Sequence, residues 1–173
     1  MILTGNEIQK QIQNGSIVME PFSESQITTN SYDLRLGNEL LIYEDEIIDP
    51  KKKPNFKIIR INSDGYELKR GDFVLGSSIE KFGSTKFVPL IHAKSSTARL
   101  GLFVHVTADL IDIGWIGHST FQLYATMPIK IYPGMLLGQV SFWKPKGKIV
   151  LYSGKYQNSS GPRVSEIYKD FSK

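Results

Sequence analysis

The chain has 173 residues, no cysteine, 40% hydrophobic and 22% charged residues, and a formal net charge of +4 with a pI near 9.2. That length supports one domain able to take about 70% of its unfolded surface out of water, and the composition excludes a disordered chain and a membrane protein. Without cysteine there are no disulfides, thiolate zinc sites or cysteine nucleophiles, so stability rests on packing or assembly.

The first residues, Met1 to Glu7, lack the charged n-region and apolar run of a secretory signal, and no later segment approaches membrane-spanning length, so a cytoplasmic protein is expected. Thr4 to Gly15 carries a helix signature, with Thr4 as N-cap, Glu7 as its capping-box partner, Ile8 and Ile12 on one face and Gly15 at the end. From Ile17 onward, short segments rich in Val, Ile, Phe and Tyr alternate with turn residues, without a strand-helix-strand rhythm. The body is therefore expected to be all-β. Predicted strands run from Asp33 to Ile42, Phe56 to Ile61, Asp72 to Ser78, Phe87 to Ala93, Phe103 to Ala108, Ser119 to Ala125, Ile129 to Ile131 and Gly138 to Trp143. Lys51-Lys52-Lys53, flanked by prolines, is the one tight basic run and reads as a solvated loop. No stacking or recognition motif supports nucleic-acid binding.

Between the strands, Ser95-Ser96-Thr97-Ala98-Arg99-Leu100-Gly101 reads as one short helix: hydroxyl residues precede helix formers and a glycine closes the run. With Lys94 in front, it gathers cations, hydroxyls and exposed helix-start amides, groups that suit a phosphate. Taken alone it is more simply a capped surface helix. The tail from Gly154 to Lys173, with Gly, Ser, Asn, Pro and several charges, is expected to be an extended arm that orders only against something else. His92, His105 and His118 lack metal-site spacing, so no zinc is expected. No internal repeat or linker divides the chain.

The run from Lys94 through Gly101-Leu102-Phe103-Val104-His105-Val106-Thr107-Ala108-Asp109-Leu110-Ile111-Asp112-Ile113-Gly114-Trp115-Ile116-Gly117 resembles the dCTP deaminase/dUTPase family, in its dCTP deaminase-like branch. That family carries Arg-Ser-Ser-Leu-Ala-Arg-Leu-Gly-Leu, then His-x-Thr-Ala, then Ile-Asp-Pro-Gly-aromatic-x-Gly, and a strand with Leu-Glu-Leu. The spacing is preserved here. The likeness extends to Ser31-Tyr32-Asp33-Leu34-Arg35-Leu36-Gly37, Tyr132-Pro133-Gly134-Met135, Gly138-Gln139, Lys155-Tyr156-Gln157 and Gly161-Pro162.

The resemblance implies one domain over 1–173 with a distorted jelly-roll-like β-barrel of the dUTPase type. It also implies a homotrimer with active sites at subunit contacts, and residues 154–173 folding over the nucleotide. The substrate it implies is a pyrimidine deoxynucleoside triphosphate, dCTP or dUTP. By matched position, Lys94, Ser96 and Arg99 stand near the triphosphate, while Ser95 and the Ala108 carbonyl hold the reacting water. Asp112 and Trp115 match the deoxyribose and base pocket, with Asp112 near the sugar 3′-hydroxyl. Tyr152, Lys155 and Tyr156 match the phosphate-contacting tail. The implied cofactor is magnesium, Mg2+, held by the triphosphate and water and not by side chains. Asp33, Arg35 and Trp115 have plain structural readings of equal weight, as turn cap, surface ion pair and core.

Gln122 divides the possible reactions. Deaminating cytosine at C4 moves protons from water onto the departing amine, work for a carboxyl group of tuned pKa, and the family uses a glutamate there. The amide of Gln122 forms hydrogen bonds but does not shuttle protons near neutral pH. Three readings stay open: a natural dCTP deaminase carrying an introduced Glu-to-Gln change, a dUTPase-like branch that hydrolyses dUTP to dUMP and diphosphate, and a non-catalytic nucleotide-binding regulator. Lys94, Thr97, Ile113 and Ser159 also depart from the family's usual Arg, Leu, Pro and Gln, which favours natural divergence. In the dUTPase reading Asp112 is the candidate for orienting or activating the water. Against that reading, the tail lacks the Arg-Gly-x-x-Gly-Phe-Gly motif of typical trimeric dUTPases.

Overall fold

The computed structural model describes residues 1–171, so the last two positions of the expected arm, 172–173, lie outside the described residues. The N-terminal helix α1, Gly5–Gln13, forms where expected, with Ile8 fully buried on its inner face. Its capping box does not form: Thr4 occupies the N-cap in extended geometry without a side-chain bond, and Glu7 instead accepts from Gln11 Nε2 at 2.6 Å, one turn along. Among the described residues no helix is long and apolar enough to cross a membrane.

Among the described residues eleven strands follow, all paired antiparallel. The largest sheet runs β4 (Phe56–Arg60), β3 (Glu39–Tyr43), β6 (Phe73–Ser84), β9 (Ile116–Ala125) and β8 (Leu102–Phe103), with β1 (Ile17–Glu20) paired to the far half of β6. A second sheet orders β2 (Tyr32–Arg35), β11 (Leu136–Trp143) and β7 (Val88–Ala93), and β5 (Tyr66–Leu68) pairs with β10 (Ile129–Ile131). The sheets do not close into one continuous barrel, but all of them feed one buried cluster. Tyr32, Leu34 and Phe142 enter it from the second sheet, Leu40, Phe82, Phe121 and Leu123 from the first, and Leu68 and Ile131 from the small pair. This is the expected distorted, mostly β architecture, with one short internal helix α2, Ser95–Arg99.

Two expected strands are corrected. Asp33 to Ile42 is not one strand: the chain breaks at Gly37 and passes from β2 in one sheet to β3 in another. Gly37 N–H donates to Ser77 O at 2.7 Å, and a Cβ on Gly37 would lie 3.2 Å from that same oxygen, so a side chain here would crowd the crossing. Phe103 to Ala108 ends as a strand at Phe103; beyond it only Val104 turns into the core, and the chain becomes a loop. Strands β1 and β5 were not among the expected ones.

Candidate active site

Period-two alternation along β9 sends Phe121, Leu123 and Ala125 into the core and leaves Thr120, Gln122 and Tyr124 on the outer face. Directly across on β6, Leu75 pairs with Gln122 and Phe73 with Tyr124, so these four share that face. Leu75 is nevertheless buried, and outside the core cluster, because something covers the sheet there. The cover is the loop from Thr107 to Asp112 together with the C-terminal arm. Between cover and sheet lies a cavity of about 540 Å³, a volume in the range of small-molecule sites. Its walls include Tyr43, Phe73, Leu75, Trp115, Tyr152 and Tyr156. Its polar groups include Asp112, His118, Thr120, Gln122 and Arg163, and Asp112 is the one carboxylate among the described lining residues.

The arm is tied to the first half of β9 by a ladder of bonds. Trp115 Nε1 donates to Tyr156 O at 2.7 Å, Gln157 Nε2 donates to Gly114 O at 2.8 Å, and Asn158 N–H donates to Ile116 O at 3.0 Å. His118 N–H donates to Ser159 O at 2.9 Å, and Arg163 N–H donates to Thr120 Oγ1 at 3.0 Å. The Tyr152 hydroxyl accepts from Tyr156 N–H at 3.1 Å and the Tyr156 hydroxyl from Glu166 N–H at 2.8 Å, so both tail tyrosines brace the arm as well as line the cavity. Lys155 is not in the lining: it pairs with Asp170 at 2.7 Å, the bond that chiefly raises its pKa above the ordinary lysine value, and lies 5.7 Å from the Tyr156 ring centroid.

Electrostatics at the cavity are sparse in cations. Arg163 is paired with Glu166 at 2.6 Å, which Lys169 also meets at 2.6 Å; these two partners, Lys169 first, hold the Glu166 carboxyl below its ordinary value. His118 Nδ1 accepts from Gly161 N–H at 3.3 Å, and burial, followed by the nearby Lys81 charge, pushes its pKa down. Beneath the sheet the fully buried Glu80 takes Arg35 Nε at 2.6 Å, Arg35 N–H at 2.9 Å and Gln26 Nε2 at 2.9 Å, so Arg35 is a structural ion pair.

The expected site residues divide into two groups. Ala108, Asp112, Trp115, Gln122, Tyr152 and Tyr156 line the cavity; Lys94, Ser95, Ser96 and Arg99 do not. Ser95, Ser96 and Arg99 are exposed on α2, and Lys94, at its start, is ion-paired with the buried Asp33, whose Oδ1 has no partner. Trp115 combines core packing, edge-on against Phe82 at 5.6 Å, with cavity lining. Tyr43, Phe73, His118, Thr120 and Arg163 are lining residues that sequence reasoning missed; only the alternation along β9 signalled any of them. No three His, Cys, Asp or Glu side chains gather as a metal site among the described residues, and Asp112 is the one carboxylate in the described lining that a divalent cation could meet.

Residues 2–145 match the family described as dCTP deaminase-like. The protein of Clostridium beijerinckii named dCTP deaminase, dUMP-forming, is 46% identical over 174 residues, covering 100% of both chains. The Cytophaga hutchinsonii protein of the same name is 42% identical, again over 100% of both. In fold, the chain resembles the 2'-deoxycytidine 5'-triphosphate deaminase of Agrobacterium tumefaciens, with a TM-score of 0.63 and 23% identity over 82% of this chain and 47% of that one. The chain belongs to the dCTP deaminase-like family of enzymes.

Proposed function

We propose that this chain forms dUMP by hydrolysing dUTP between its α- and β-phosphates. The observation that carries the reading is the presence in one cavity of Asp112, the one carboxylate among its described lining residues, and of Gln122, at the position where the family resemblance puts a proton-shuttling glutamate. Phosphate hydrolysis needs a positioned water, a base and cations, and no acid at the pyrimidine ring. Asp112 accepts a proton as water attacks the α-phosphorus, the bond to the bridging oxygen breaks, and diphosphate leaves. Trp115 and Ala108 border the base and sugar, and Tyr152 and Tyr156 hold the arm across the opening. The relatives' name, dCTP deaminase, dUMP-forming, joins deamination to dUMP release; Gln122 weakens the first and leaves the second.

The donor set fits magnesium carried in on the triphosphate, with Asp112 beside it, and the ion would supply neutralising charge to the phosphates. The active unit in this reading is a homotrimer. A cavity whose one cation among the described lining residues is Arg163, itself paired with Glu166, is short of charge for a triphosphate, while Ser95, Ser96 and Arg99 lie exposed on α2 of the same chain. A second copy brings its α2 to the opening and completes the site. Incubating the pure protein with magnesium and, separately, dUTP and dCTP tests the reaction: diphosphate from dUTP with little ammonia from dCTP is expected. Rapid ammonia release from dCTP overturns it, and tight binding without either product favours a nucleotide-binding regulator.

A further inference from the structure

Gln122 is the one side-chain amide among the described lining residues of the cavity, opposite its strand partner Leu75 and near Phe73 on the same face. Its Oε1 accepts a hydrogen bond from Val106 N–H at 3.3 Å. An amide nitrogen has no acceptor to offer a backbone N–H, so this contact settles which way round the amide lies. The two Nε2 hydrogens are left to face whatever occupies the cavity.

Resting on the function proposed above, we infer that Gln122 is the specificity-determining residue of this site, presenting an amide donor to the C4 substituent of a pyrimidine. The C4 oxygen of uracil accepts that hydrogen bond. The C4 amine of cytosine is itself a donor, and two donors facing each other away from water leave both without partners, a loss worth about ten- to a hundredfold in affinity. A glutamate holding Val106 N–H with one oxygen would present the other as an acceptor, with the opposite preference. The Glu-to-Gln exchange thus does more than remove a proton carrier: it inverts the hydrogen-bonding face offered to the base. The loop bearing Val106 fixes that face, so Val106 N–H acts through Gln122 as a positioning group.

The test compares α,β-imido dUTP and α,β-imido dCTP, which resist hydrolysis, by calorimetry with magnesium near neutral pH. Wild-type protein is expected to bind the uracil analogue about tenfold or more tightly than the cytosine one. Gln122→Leu, which has neither donor nor acceptor, should bring the two affinities together, and Gln122→Glu, with the cytosine analogue confirmed by chromatography to be undeaminated after each titration, should reverse their order. The carboxylate still accepts from Val106 N–H, so an unchanged Tm for Gln122→Glu is expected and separates selectivity from misfolding. Equal wild-type affinity for the two analogues, or a ratio unmoved in Gln122→Leu, overturns the selectivity and leaves dUMP formation standing. Failure of the wild type to bind either analogue overturns the proposed function, and the selectivity falls with it.

Discussion

Two side chains carry consequences that belong to single residues. Asp112 lines the cavity with its side chain exposed, and its backbone oxygen, not its carboxylate, accepts Trp115 N–H at 3.1 Å. Asp112→Asn therefore keeps the local turn while removing the proposed base. It should lower the rate of dUMP formation by about 10²- to 10⁴-fold with an unchanged Tm, and a loss of less than a few-fold would remove Asp112 from the chemistry. His118 makes a different prediction. Its Nδ1 accepts from Gly161 N–H, which requires a lone pair there, while Lys81 opposes and Glu80 favours a charge on the ring. Released from the arm, the ring sheds the burial the arm supplies and titrates higher than when docked, although Lys81 still holds it down. The undocked state therefore takes up the proton first, and the stabilisation, complete above the ordinary 6.5, is lost as pH falls below it toward the docked value. Tryptic cleavage after Lys155 and Arg163 should accelerate over that window in wild type, relative to a trypsin substrate peptide measured at each pH. His118→Asn should give a flat ratio; a flat wild-type ratio would rule out the latch.

At the scale of elements, the arm and the start of β9 act as one unit, and Gly114 is the point where they touch. Its φ of 97° lies in the left-handed region, and a Cβ there would stand 2.8 Å from the backbone nitrogen of Tyr152. Gly114→Ala should cost about 1–3 kcal/mol through backbone strain and displace the Tyr152 segment, seen as a lower Tm together with a higher KM for dUTP. The same elements show what a sequence reveals. The interval Ile129–Ile131 coincides with its expected strand, and β9 was legible because Phe121 and Leu123 alternate cleanly with polar neighbours. The break at Gly37 was not, since residues on either side continue an apolar pattern and the cause is a distant contact with Ser77. Val104 and Val106 look like strand residues, yet Val106 N–H is spent on Gln122, a side chain on the next strand. Ala108, Asp112, Trp115 and Gln122 were legible as a local series with recognisable spacing. Tyr43, Phe73 and Arg163 reach the cavity only through strand pairing and the path of the arm, which no local pattern encodes.

The whole molecule poses the question of where α2 does its work. Across the outer face, Phe73, Tyr124 and Phe103 stand in register on β6, β9 and β8, and they remain 40%, 38% and 49% exposed. The Phe103 and Tyr124 rings lie 6.2 Å apart, and Phe73 belongs to the cavity wall, so this aromatic row runs straight out of the site. Solvated aromatic surface continuous with the cavity is the pattern a second copy would cover in the proposed homotrimer. If the site is built from two copies, Asp112→Asn and Arg99→Ala damage opposite sides of it. Each variant alone should be inactive. Mixed after brief dissociation and reassembly, they should regain activity, because about a quarter of the contacts then pair an intact Asp112 with an intact Arg99 from the neighbour. Sedimentation of the mixture should show a trimer throughout. A monomer at working concentration, or a mixture as silent as its parts despite exchange of subunits, would mean that each chain must use its own Arg99, which its position on α2 outside the cavity lining makes difficult to reconcile with triphosphate binding.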